Sequence, residues 1–213
     1  MIPFLNLADH LSHFAVSTLN GPGLRYVLFV QGCSHRCTMD CLNEEYIVRK
    51  PRVLVPVTEV AEYILELKRT RGIEGVTFLG GEPFDQAEAL AELGATLRQA
   101  DLSVVTYTGF LIEYLRKKPR AGWLELLAVT DLLIDGPFLP QYYSDTLRWR
   151  GSSNQRLIYL SARYDAQLIE AQPLEKGFNL ILRPDGTVKL SGMQSKRQAE
   201  GLMQTLRDKG VIQ

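Results

Sequence analysis

Short β-branched and apolar runs alternate with segments whose apolar residues return every three or four positions. That alternation constrains the fold of this chain more than any other feature. Leu24 to Val30 (LRYVLFV) is almost continuously apolar, the pattern of a strand buried on both faces of a parallel sheet. From Val57 the period changes: Val60, Tyr63, Ile64 and Leu67 recur at helical spacing, Thr58 is placed to cap the start, and Gly72 stands just past the end. This predicts an amphipathic helix. Val76 to Leu79 then predicts a strand running into Gly80-Gly81, and Asp85 to Gln99 a helix with Leu90, Leu93 and Leu97 on one side. The alternation continues with Ser103 to Tyr107 as strand, Leu111 to Lys117 as helix, and Val129 to Ile134, Arg156 to Leu160 and Phe178 to Leu182 as strands. A hairpin is expected over Leu182 to Leu190 around Pro184-Asp185-Gly186, and a last helix over Lys196 to Lys209, ahead of Gly210. Strands alternating with helices imply right-handed βαβ units around a parallel sheet. Asp135 to Asn154 is the longest stretch without periodicity, which favours a functional loop.

With 213 residues, the chain suits one well-filled core, so a single domain over 1–213 is expected, its core at roughly residues 21 to 190. Lys+Arg and Asp+Glu are equal at 24 each, which removes the electrostatic argument for a nucleic-acid or anionic-membrane surface as main partner. The start, Met1 to Val16, lacks the charged-then-apolar run of a signal peptide, and no apolar stretch is long enough to span a bilayer. A cytoplasmic location is the expectation.

All three cysteines of the chain fall within nine consecutive residues: Cys33, Cys37 and Cys41, a C-x3-C-x3-C spacing directly after the first buried strand. An odd, clustered count argues against a disulfide framework in a reducing compartment. Soft thiolates suit iron and zinc, and three of them leave one coordination position for something other than cysteine. On a cubane cluster that position is a whole iron, able to chelate a small molecule. A zinc site would want a fourth ligand. His35 is the nearest histidine, and between two of the cysteines it is cramped for reaching the same metal. Gly80-Gly81 at a strand's end permits backbone angles and close approaches that a side chain would forbid, and Glu82 adds a carboxylate there.

These segments together carry a resemblance. Gly21-Pro22-Gly23-Leu24, the strand leading to Gln31-Gly32-Cys33, the cysteine triad, and Gly80-Gly81-Glu82-Pro83 resemble the radical S-adenosylmethionine superfamily. Within it, Asp135-Gly136-Pro137-Phe138 and the run Arg150 to Arg156 (RGSSNQR) look like the activating enzymes of anaerobic ribonucleotide reductase. The superfamily's usual spacing is C-x3-C-x2-C, so the second interval here carries one extra residue. Either the loop bulges around Thr38, Met39 and Asp40 and still delivers Cys41, or the cluster is held differently; the lack of any other thiol favours the bulge. Asp40 stands where the family often has an aromatic or apolar residue against the adenine, which leaves Met39 as the nearest apolar candidate.

The resemblance implies an α/β fold, an incomplete barrel of the radical SAM type, a partial (β/α)6 arrangement; a full eightfold barrel would need about 250 residues. It implies a 4Fe-4S cluster on Cys33, Cys37 and Cys41, and S-adenosylmethionine as second cofactor, with Gly80, Gly81 and Glu82 meeting its methionine ammonium. Thr106 and Thr108 end the third strand and Asp135 ends the fourth, where α/β sheets place ligands. Capping a helix or turn is the alternative for each. Asn154, within Arg150 to Arg156, is expected beside the cofactor or a partner's entering loop, the alternative being a solvated turn capped by Ser152 or Ser153. The implied partners are a glycyl-radical enzyme as protein substrate and a low-potential electron donor, a flavodoxin or ferredoxin. Two rivals stand beside this reading. A small-molecule enzyme resembling 7-carboxy-7-deazaguanine synthase predicts a pocket that closes without a partner. A non-catalytic iron-sulfur or zinc module predicts no S-adenosylmethionine cleavage and indifference to Glu82.

Overall fold

The computed structural model describes residues 2–35, 41, 44–175, 177–182, 188–192 and 196–210. Ten strands occur among them. β1 (Phe4–Leu7), β2 (Val16–Ser17), β3 (Arg25–Val30), β4 (Val53–Pro56), β5 (Gly75–Gly80), β6 (Ser103–Tyr107), β7 (Leu132–Asp135) and β8 (Arg156–Tyr159) form one sheet. β9 (Phe178–Leu182) and β10 (Val188–Gly192) pair separately. The helices are α1 (Val57–Arg71), α2 (Ala87–Gln99), α3 (Ile112–Lys117), α4 (Trp123–Val129), α5 (Ala166–Glu170) and α6 (Lys196–Asp208).

The large sheet runs in the order β4-β1-β3-β5-β6-β7-β8, with β2 beside β3. Its centre, β3-β5-β6-β7, is parallel. Every residue of β3 is buried, as its unbroken apolar run requires. The sheet as a whole is mixed, which corrects the expectation of uniformly parallel strands. β8 lies antiparallel to β7, because residues 136–155 hold only a single 3-10 turn, Pro140–Tyr142, and a parallel neighbour needs a crossover long enough to return the chain, usually a helix. At the other edge β1 is antiparallel to both β3 and β4. The stretch before Leu24 thus supplies two strands that its weak periodicity did not announce.

Local signals explain most element ends. α1 stops at Gly72, whose left-handed φ of 65° lets its N–H reach the Lys68 carbonyl. Its start differs from expectation: Pro56 precedes the first turn and no side chain caps it, so Thr58 lies inside the helix. The expected helix from Asp85 begins as a 3-10 turn, Pro83–Gln86, and becomes α-helical at Ala87. The strand expected from Val129 begins only at Leu132, because Trp123–Val129 is a helix whose Trp123, Leu126 and Leu127 are buried. The Pro184-Asp185-Gly186 turn lies outside the described residues; the strands expected on either side of it do pair.

The main core packs the sheet against α1, α2 and α4 through residues such as Ile64, Leu90, Leu93, Phe78 and Val104. The opposite face carries a smaller cluster, Val105, Tyr107, Leu132, Ile134, Trp149 and Ile169. Alternation along β6 therefore sends Val104 and Thr106 towards the helices and Val105 and Tyr107 to the other side. No helix among the described residues is long and apolar enough to cross a membrane.

Candidate iron-sulfur site

β3 delivers the first cysteine. After Val30 the chain passes Gln31 and Gly32, the latter at φ 99°, and Cys33 leaves the sheet buried. The segment returning from the cysteine loop closes onto the same spot. Gly32 N–H donates to the Tyr46 carbonyl (2.7 Å), Cys33 N–H to the Ile47 carbonyl (3.2 Å), and the Gln31 amide to the Val48 carbonyl (2.7 Å). The loop is thus clasped at its base. Cys41 is half-buried, and neither it nor Cys33 is in a disulfide. Cys37 and Met39 lie outside the described residues.

β5 lies parallel to β3 with Val30 opposite Gly80, so the glycine pair emerges beside Gln31 and Gly32. Gly81 N–H donates to the Val30 carbonyl and Glu82 N–H to the Gly32 carbonyl, each at 2.8 Å. A Cβ on Gly81 would stand 2.0 Å from the Gly32 oxygen, and one on Gly80, at φ 115°, 2.5 Å from the Val30 backbone. Close approach does require both glycines, as the sequence implies, and here the approaching backbone is that of the cysteine strand. Asp85, three residues beyond Glu82, accepts from the Ser34 N–H and hydroxyl, both at 2.6 Å. The turn after the glycines therefore holds the first turn of the cysteine loop. Sequence reasoning took Asp85 only for the beginning of a helix; nothing in its local context distinguishes that role from this one.

Glu82 is 1% exposed. Its carboxylate accepts from Phe84 N–H (3.0 Å), the Thr108 hydroxyl (2.9 Å) and Gly109 N–H (2.9 Å). Burial pushes its pKa up to about 7, the three donors pull against that rise, and Asp85 adds to it. The side chain thus joins the ends of β5 and β6 from within; it does not stand open at the mouth, as its position in the sequence suggested.

The remaining expected residues divide. Thr108 joins the group, donating to Glu82 and accepting from Phe110 N–H (3.1 Å). Thr106 does not: it faces the helices, its hydroxyl 2.8 Å from that of Thr130. Asp135, fully buried, accepts from Ile112 N–H at the start of α3 (2.9 Å) and from Arg156 through two bonds of 2.9 and 2.5 Å. The capping alternative thus describes its observed contacts. Arg156 goes on to Glu113 at 2.9 and 2.8 Å, holding that exposed carboxyl well below its usual range. Asn154 donates to the Pro137 carbonyl (2.7 Å), while its Oδ1 is buried with no hydrogen-bond partner among the described residues. Gln155 accepts from Gly151 and Ser152 N–H and donates to the Gly136 carbonyl. Residues 150–156 are thereby folded onto Gly136 and Pro137 at the end of β7, and Ser152 is buried, unlike a solvated turn.

One rim of the parallel strands therefore collects Cys33, the glycine pair, Glu82 and Thr108, with Asp135 and Asn154 on the neighbouring strand end. Two of the three sulfurs are placed within or next to that rim's loop, and soft thiolates at a clasped, half-buried loop suit an iron-sulfur cluster. Comparison with known proteins agrees. A family described as a 4Fe-4S single cluster domain matches residues 19–158. Several anaerobic ribonucleoside-triphosphate reductase-activating proteins are similar to the chain. That of Haemophilus influenzae is 32% identical over 152 residues, 69% of this chain and 95% of the relative. That of Enterobacteria phage T4 is 33% identical over 143 residues, 65% and 86%. That of Escherichia coli K12 is 30% identical over 162 residues, 71% and 99%. The matched region contains the clasped cysteine loop, the glycine pair and the folded segment after β7, and with them the chain belongs to the 4Fe-4S single-cluster family that includes the anaerobic ribonucleoside-triphosphate reductase-activating proteins.

Proposed function

We propose that this chain is a radical S-adenosylmethionine enzyme that generates a glycyl radical on a partner, an anaerobic ribonucleotide reductase by analogy with its relatives. The observation that carries the reading is the direct joining of two motifs: Gly81 and Glu82 N–H bond the strand that delivers Cys33. On this reading the mixed sheet is the wall of a partial (β/α)6 barrel, and residues 1–213 form one domain. Cys33, Cys37 and Cys41 hold a 4Fe-4S cluster by three irons. When bound, the cluster gives one electron to the sulfonium of S-adenosylmethionine, whose cleavage yields methionine and a 5′-deoxyadenosyl radical.

The protein's part is placement and exclusion of water. Asp85 holds Ser34 and so the turn that begins at Cys33. Glu82, gripped by Thr108 and Gly109, fixes the ends of β5 and β6 against each other, so the Gly80-Gly81-Glu82 backbone is preorganised for the cofactor's ammonium. Asn154 offers a buried acceptor to a donor of the cofactor or of the entering loop, with Asp135 and Met39 as further contributors. Val105, Tyr107, Ile134 and Trp149 keep the face behind this rim apolar. A cytoplasmic address and a low-potential donor belong to the same reading. Anaerobic reconstitution is expected to give about four iron and four sulfide per chain, with 5′-deoxyadenosine formed under dithionite and lost on Cys41→Ala. Stoichiometric zinc, or cleavage that survives Cys41→Ala, overturns it.

A further inference from the structure

The charges of the chain balance over its length, so a local excess of one sign is informative. Arg116, Lys117, Lys118 and Arg120 fall within five residues at the end of α3 and in the turn after it, and all four are exposed. Over residues 111–125 they face only two carboxylates, Glu113 and Glu125, and Glu113 is already held by Arg156 through two bonds. Basic residues in a helix's last turn offset its dipole. That accounts for Arg116 and Lys117, whereas Lys118 and Arg120 lie beyond the helix.

The same segment carries a line of rings. Tyr114, 40% exposed, stacks on Phe110 with centroids 5.6 Å apart and planes at 15°. Phe110 lies 5.2 Å from Trp123, and the Arg120 guanidinium sits 5.0 Å over that indole. On its other side Phe110 meets the edge of His35 at 4.9 Å. His35 is two residues beyond Cys33. Core packing accounts for Trp123, which is buried; it leaves unexplained why the line runs from an exposed tyrosine amid cations to the cysteine loop.

We propose that Tyr114, Arg116, Lys117, Lys118 and Arg120 form the docking surface for an acidic one-electron carrier protein, with Phe110 and His35 on the path between that surface and the cluster. This rests on the function proposed above and names the partner that site needs. One electron leaves the reduced carrier and arrives at the cluster; no bond forms or breaks. Charge complementarity selects the occupant, since a basic patch on a neutral protein steers acidic partners. Redox encounters are also small, below about 1,200 Å², which one short helix and its turn can supply.

The test uses the reconstituted protein and a flavodoxin, comparing wild type with the surface variant Arg116→Glu/Lys117→Glu/Lys118→Glu. Binding of oxidised flavodoxin, measured by titration at rising salt, is expected to weaken with salt in the wild type and to fall about tenfold or more in the variant. Flavodoxin-driven 5′-deoxyadenosine formation should fall with it, while dithionite-driven formation stays the same, which also reports an intact fold. Phe110→Leu should leave flavodoxin affinity unchanged and slow only its electron delivery. Equal affinity and equal flavodoxin-driven rates in the triple variant overturn the proposal, as does a loss confined to glycyl-radical yield under dithionite, which would assign the patch to the substrate protein. If dithionite yields no cleavage in any form, the function reading fails by itself, and the titration still decides whether an acidic carrier docks here.

Discussion

The two ends of the parallel sheet each bury one ionisable side chain, and they hold it by opposite means. At the end where β5 and β6 finish, Glu82 is surrounded by three donors, and its pKa rises only to about 7. At the end where β3, β5 and β6 begin, Arg25 is fully buried among neutral acceptors. Its Nε donates to Thr77 Oγ1 (2.8 Å) and one terminal nitrogen to the Val76 carbonyl (2.9 Å) and the Ser103 hydroxyl (3.1 Å). The other terminal nitrogen meets the Pro22 carbonyl. Burial lowers its pKa too, but a guanidinium starts so high that it stays charged. One end is thus a fixed cationic plug, and the other carries a carboxyl whose charge changes near neutral pH. The register explains the plug's fit: Arg25, Gly75 and Ser103 lie side by side, and a Cβ on Gly75 would come within 2.6 Å of the guanidinium.

The largest expected effect is at the plug. Arg25→Met leaves the Val76, Ser103 and Pro22 oxygens without their donor, and should cost about 3–5 kcal/mol in a urea titration, independently of pH between 5 and 8. A loss under about 1 kcal/mol would mean that water or a rearranged Ser103 replaces the cation, and the contrast between the two ends would lapse.

Next in size is the pH dependence from Glu82. In the unfolded chain its carboxyl titrates near 4.5, in the folded chain near 7. Between those values the folded state retains a proton that the unfolded state has lost. Stability from this group is therefore complete below 4.5, declines as pH rises to 7, and is level above. The span is roughly 3 kcal/mol, at about 1.4 kcal/mol per unit. Glu82→Gln should remove that slope, seen as the difference between wild-type and variant urea midpoints from pH 4.5 to 8. Parallel curves would show that Glu82 does not titrate in this range.

The smallest effects sharpen the comparison with one hydroxyl at each end. Thr108→Val removes a donor to Glu82, so it should cost about 1 kcal/mol at pH 8 and move the Glu82 transition to higher pH. Thr77→Val removes the acceptor of Arg25 Nε and should cost a similar amount, about 1–2 kcal/mol, with no change in pH dependence. A pH-dependent loss at Thr77 would couple the two ends through the sheet, against the local picture drawn here.

Much of the fold and part of the site were legible because their causes are local. The apolar run of β3, the helical period of α1 and α2, Gly72 at a helix end, and three clustered thiols with a glycine pair after the next strand are all properties of neighbouring residues. What depended on distant ones was not. Val129 reads as strand yet closes α4, because the Trp123 indole is buried against Phe84, to whose carbonyl it donates at 2.8 Å. Nothing near Arg156 announces that β8 runs antiparallel; the lack of a crossover helix decides it. Thr106 and Thr108 look equivalent in sequence, and strict alternation would put them on one face, but the strand ends at Tyr107 and the turn swings Thr108 onto Glu82.

By itself, then, the sequence determined the parallel core, the place of the cysteine loop at a strand end, and the residue types available for binding a cluster. Tertiary structure alone decided which oxygen meets which donor: that Asp85 holds Ser34, that Asp135 is paired with Arg156, and that the Glu82 carboxyl titrates near neutrality. The reason is physical. Periodicity and turn chemistry act over a few residues, whereas desolvation and hydrogen bonding are set by atoms brought together from positions 26 to 51 residues apart, as between Glu82 and Thr108 or Ser34 and Asp85.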